Sequence, residues 1–132
     1  MQGFRSNIEN DTLKNRNFRK VLYTSKSLQV VLMMLKPGEE FAEEAHSSFD
    51  QFFRFEAGTG KRFIDGYEYK VGNDDAIETP PGARHNVINA HPSKELMMYT
   101  IYSPLNHKDD VINSTKKDFE LNDFQFDGKV TE

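Results

Sequence analysis

The sequence predicts an all-β domain, a sandwich or barrel of short antiparallel strands. Three observations predict it. Runs rich in β-branched and aromatic residues are separated by Pro, Gly, Asn and Asp clusters roughly every six to twelve residues, and almost nothing repeats with the helical period. Asp65-Gly66, lying between two alternating segments, is a two-residue hairpin loop of the kind that favours positive φ. The total of about nine strands points to a sandwich or barrel and away from an α/β fold.

Each element follows from local chemistry. Residues 1–17 are polar and form an N-terminal arm held loosely against the domain. Residues 21–23 and 28–35 are the first two strands, and Lys36-Pro37-Gly38 stops the second. Residues 41–46 make the third and residues 51–56 the fourth, after which Gly58-Thr59-Gly60 turns the chain into residues 61–64. Asp65-Gly66 pairs that strand with residues 67–71. Residues 76–79 follow, then the Pro80-Pro81-Gly82 turn, residues 85–89, and residues 95–102, which Ser103-Pro104 closes. The barrel therefore covers residues 18–104. Residues 105–132 form a polar C-terminal tail in which residues 116–121 make a short helix or an added edge strand.

Composition sets the outer limits. A chain of 132 residues supports one domain and buries roughly two thirds of its unfolded surface, enough for a core without staples. It has no cysteine, which removes disulfides, thiolate ligands and cysteine nucleophiles together and leaves nitrogen and oxygen as the only metal donors. The net charge of −4 and the scattered lysines and arginines argue against a nucleic-acid partner. Arg16, Arg19 and Lys20 form the nearest thing to a basic patch and read as a solvated strand edge. The first residues lack an apolar signal region, and the apolar run at 30–35 falls far short of the roughly 18 residues that cross a bilayer, so a cytoplasmic protein with no membrane partner is expected. Neither a nucleophile elbow nor a phosphate-cradling loop is readable.

What remains is metal chemistry. Glu44 and His46 are two apart, so an extended strand points both the same way, and Gln51 joins them from the next strand across a short turn. His85 arrives from the distant strand after the Pro/Gly turn. Taken singly, each has a plainer explanation: a lone histidine is more often a satisfied polar side chain, and Glu44 belongs to an acidic stretch. Taken jointly, two imidazoles, a carboxylate and an amide inside a barrel must pair with one another or coordinate a cation. If Gln51 faces inward, Phe53 and Phe55 line the pocket below it, while Phe52 faces out. An outward Phe52 beside the apolar strand at 30–35 would form a homodimer contact, unless the N-terminal arm covers that face. Residues 97–102 bring a tyrosine to the pocket in either register, Tyr99 or Tyr102, and that residue is the candidate catalytic group. Arg62, Arg84, His91 and His107 are within reach of the pocket rim but are expected as ordinary surface residues. Aromatic walls around a cation suit a small, partly apolar ligand with an oxygen donor, such as a keto acid, phenol or sugar.

The spacing also carries a family resemblance. Gly38, five residues, Glu44, one residue, His46, four residues, Gln51, six residues, Gly58 resembles the first cupin motif; Pro80, one residue, Gly82, two residues, His85, three residues, Asn89 resembles the second. The segment 18–104 is similar to small single-domain cupins of the mannose-6-phosphate-isomerase-like group. The resemblance implies a double-stranded β-helix, or jelly-roll barrel, with a metal site in its mouth. Three positions depart from the family pattern: Glu44 stands where histidine is usual, Gln51 where glutamate is usual, and Asp74 where the second motif begins with glycine, a turn that Gly72 and Asn73 are expected to supply instead. Such a donor set suits zinc, manganese, iron or nickel. Three functions stay open: a metal-dependent isomerase or oxygenase acting on a small oxygenated metabolite, a non-catalytic binding or sensing module, and a metal-free interaction barrel.

Overall fold

Strand pairing follows the turn chemistry closely. The computed structural model describes residues 1–45, 48–121 and 125–132, and among these it contains ten strands and two short helices. The N-terminal helix α1 (Ile8–Lys14) precedes β1 (Arg19–Thr24), β2 (Gln29–Leu35), β3 (Glu44–Ala45), β4 (Asp50–Ala57), β5 (Gly60–Ile64), β6 (Tyr67–Val71), β7 (Ala76–Thr79), β8 (Arg84–Ile88), β9 (Leu96–Ser103), β10 (Ile112–Asn113) and the helix α2 (Lys116–Leu121). At the β5–β6 hairpin, Asp65 (φ 46°) and Gly66 (φ 82°) both take the left-handed backbone expected of this two-residue loop.

Two antiparallel sheets form the expected jelly-roll sandwich. The larger runs β10-β1-β2-β9-β4-β7 and the smaller β3-β8-β5-β6. Their facing sides share one core: Val31, Met33, Leu35, Phe53, Phe55, Met98 and Tyr102 come from the larger sheet, Val71 and Val87 from the smaller, and Phe18, Phe49 and Val111 from the connections. Alternation explains most of this. The inward set on β4 is Gln51, Phe53 and Phe55, as expected, until a bulge between Phe55 and Ala57 shifts the register against β9.

The arm and the tail differ from simple extensions. Asn7 caps α1 by accepting a hydrogen bond from the Asn10 amide at 3.0 Å, and the helix packs on the outer face of the larger sheet against β2, β4 and β9. β2 is consequently buried on both faces, and its outward Val30, Leu32 and Met34 are covered within this chain. Of the two forms expected for residues 116–121, the helix is the one observed; the added edge strand is the neighbouring β10, paired with β1. At the far end the Glu132 carboxylate accepts the amides of Gln2 (2.7 Å) and Gly3 (2.9 Å), which ties the two termini together. Asp74 supplies its own turn: its φ is 70°, so it adopts the glycine-like conformation that Gly72 and Asn73 were expected to provide. Among the described residues, no helix is long and apolar enough to cross a membrane.

Candidate functional site

β3 and β8 bring two of the four expected ligands together. Glu44 and His85 are direct cross-strand partners, so their side chains share one face of the smaller sheet, the face that carries Val87 into the core. β3 is much shorter than the strand expected at 41–46. Ala42 has φ 77°, which breaks the extension just after Phe41, whose amide donates to the Val87 carbonyl. His46 lies outside the described residues. Gln51 is buried on β4, which belongs to the opposite sheet. The expected adjacency of the Glu44 and Gln51 strands is therefore corrected: β3 is hydrogen-bonded to β8, and Gln51 stands on the opposite sheet. Its Oε1 has no hydrogen-bond partner although it is shielded from solvent.

Two arginines share this interior. Arg62, expected at the surface, is one of the most completely buried side chains, at 1% exposure. Its guanidinium lies 4.4 Å from the Phe53 ring centroid and donates to Thr79 Oγ1, while its Nε has no partner. Burial pulls its pKa down to about 10, against the pull of Tyr102 and Glu44, so it stays cationic at neutral pH. Arg19, expected on a solvated strand edge, is also buried; it lies 4.0 Å from the Phe119 ring centroid and 5.7 Å from that of Phe18. Strand alternation alone did not reveal these positions. On β5 the rule that apolar residues point inward favours Phe63 and leaves Arg62 outside, whereas the observed packing does the reverse.

Tyr102 is the tyrosine that faces the interior, whereas Tyr99 sits on the outer face opposite Arg54 on β4. The Tyr102 hydroxyl is pushed up to about 12, chiefly by burial and also by the Glu44 carboxylate, with Arg19, Asn106 and Arg62 pulling the other way. Phe53 and Phe55 stack with centroids 6.1 Å apart in the core beneath.

A cavity of about 450 Å³ reaches Glu44 and is lined also by Arg19, Phe49, Asn106, His107 and Phe119, whereas His85 lines a separate cavity of about 530 Å³ with Phe63 and Arg84. Phe49 forms an apolar wall of this first cavity and meets the Tyr102 ring edge-on at 5.3 Å. His107, expected at the surface, is buried with its ring against Tyr102, and its backbone is clamped by the Gln29 amide through bonds of 2.9 and 2.7 Å. No sequence signal marks it, because the segment after Pro104 has no regular period. Arg84 is exposed and paired with Glu43 at 3.0 Å, as expected of a surface residue, and the His91 ring accepts the Ser93 and Lys94 amides as a turn cap.

The donor chemistry fits a divalent cation at one point in particular. A buried carbonyl oxygen without a donor costs about 1–3 kcal/mol, and Gln51 Oε1 is such an atom in the same interior as a carboxylate and an imidazole. Among the described residues, no three His, Cys, Asp or Glu side chains cluster to hold a metal; the set depends on the amide of Gln51 and on His46.

Comparison with known proteins places the fold. The Cupin domain family matches residues 31–102. The uncharacterized protein YrkC of Bacillus subtilis is 40% identical over 119 residues, which are 85% of this chain and 63% of that protein, so this chain spans less than two thirds of that relative's length. A solved structure of a Bacillus halodurans protein superposes with a TM-score of 0.88 at 35% identity, covering 92% of this chain and 96% of the other. KdgF from a Halomonas species superposes at 0.64 with 20% identity over 79% of this chain and 94% of its own, a likeness of fold alone.

Proposed function

Since this chain belongs to the cupin family, we propose that it holds a divalent cation between its two sheets and binds a small oxygenated metabolite beside it, as an isomerase or oxygenase would. Glu44, His46, Gln51 and His85 would hold the ion, with zinc, manganese, iron or nickel suited to the mixed nitrogen and oxygen donors. The observation that carries this reading is the buried, unpartnered Oε1 of Gln51 in the interior where Glu44 and His85 pair across strands. A bound divalent cation supplies Lewis-acid polarisation of a substrate oxygen.

The chain's own residues define the rest. Tyr102 remains protonated at neutral pH, so its hydroxyl serves as a hydrogen-bond donor that orients a ligand oxygen, not as a base. Arg62 places a fixed positive charge in the interior, within electrostatic reach of Glu44. Phe49 and Phe119 form the apolar walls of the cavity.

Elemental analysis tests the proposal directly. After supplementation with zinc, manganese and iron, the purified protein is expected to carry close to one ion per chain, and His85→Ala to lose most of it while its circular dichroism is unchanged. Equal occupancy in the variant would move the metal elsewhere. Turnover of sugars, keto acids or phenols by the loaded protein separates the enzyme from the binding module.

A further inference from the structure

Arg19 presents a feature that metal binding does not use. At 5% exposure it is buried at the start of β1, yet its Nε and Nη1 have no hydrogen-bond partner. Phe119 covers the guanidinium and Phe18 flanks it, so the aromatic rings position the group without satisfying its N–H donors. A guanidinium taken out of water with idle donors is costly unless an acceptor completes it. The cavity it lines, about 450 Å³, falls within the roughly 300–1,000 Å³ range of small-molecule sites.

The two buried arginines differ in their partners. Arg62 already donates to Thr79, whereas Arg19 faces the open cavity beside Asn106 and His107. The planar guanidinium matches the geometry of a carboxylate.

We infer that the ligand of this barrel is a small carboxylic acid whose carboxylate is bound by Arg19 at the cavity wall, under the cover of Phe119 from α2. The inference rests on the reading of the barrel mouth as the ligand site and adds the chemical class of what enters it. Arg19 then serves as the anion-binding group, beside Asn106 and His107 on the same cavity wall.

Matched acids and amides provide the test. Glucuronate against glucuronamide and pyruvate against pyruvamide, titrated calorimetrically into the unmodified protein, are expected to show at least one acid binding about tenfold or more tightly than its amide, the worth of a hydrogen bond to a charged group. Arg19→Gln is expected to erase that difference and Arg19→Lys to keep part of it, with metal content unchanged in both. Equal affinity of acid and amide, no binding of either acid at millimolar concentration, tighter binding of inorganic phosphate than of either acid, or a preference that survives Arg19→Gln would each overturn the inference. The acid-to-amide comparison needs no variant, so misfolding of Arg19→Gln does not spoil it. Metal measured in the same samples separates the two readings: acid preference without metal refutes the cation site alone, and metal without acid preference refutes the carboxylate site alone.

Discussion

Glu78 and Asp50 place two carboxyl groups together on the outer face of the larger sheet, at the β4–β7 edge. Partial burial, then the hydrogen bond with Asp50, then the negative charge of Asp50 push Glu78 up from 4.5 to about 7. A carboxyl raised in the folded state contributes stability below its unfolded pKa and loses it as pH rises through the folded value. Between pH 4.5 and pH 7 the melting temperature of the wild type is therefore expected to fall relative to Glu78→Gln, which cannot ionise. A constant difference between the two proteins across that window would show that the pair does not share a proton. The residue scale is also where sequence inference was most uneven. Asp65 and Gly66 were legible because only a few residue types tolerate positive φ. Arg62 and Arg19 were not, because burial of a cation depends on partners that lie far away in the chain.

Among the elements, α1 illustrates how a short segment acquires structure from its surroundings. Seven residues are too few to hold a helix alone, so the cap and the sheet beneath must stabilise it. Asn7→Ala removes the side-chain acceptor for the Asn10 amide and is expected to cost about 1 kcal/mol in chemical denaturation. Loss of near zero would mean that packing against β2, β4 and β9 holds the helix without its cap. The apolar residues at 30–35 were legible as a strand. That both of its faces would be covered was not, since the residues 1–17 carry no strong helical period. β3 was overextended for a related reason: an alanine at φ 77° has no sequence signature, unlike a glycine or an asparagine.

At the scale of the whole molecule the two sheets are one cooperative unit, because a single core draws side chains from both. Phe53 lies at its centre, stacked on Phe55 and beneath the Arg62 guanidinium. Phe53→Ala is expected to destabilise the protein by about 3–5 kcal/mol in one unfolding transition, through lost burial and a cavity beneath a buried cation. Two separate transitions in the variant would show that the sheets fold independently. The same shared core supports the candidate site, since Gln51 stands on one sheet and Glu44 with His85 on the other.

From the chain of residues alone came the all-β class, nearly every strand, the hairpin at Asp65-Gly66, and the sharing of one face by Gln51, Phe53 and Phe55. Those follow from side-chain alternation and turn chemistry, which act over a few neighbours. The tertiary structure decided that Glu44 pairs with His85, that Gln51 stands on the opposite sheet, that Tyr102 and not Tyr99 faces inward, and that Arg19, Arg62 and His107 are buried. Alternation assigns a residue to one of two faces of its own strand. Which face is the interior, and which strands meet across it, depends on contacts between distant segments that no local pattern records.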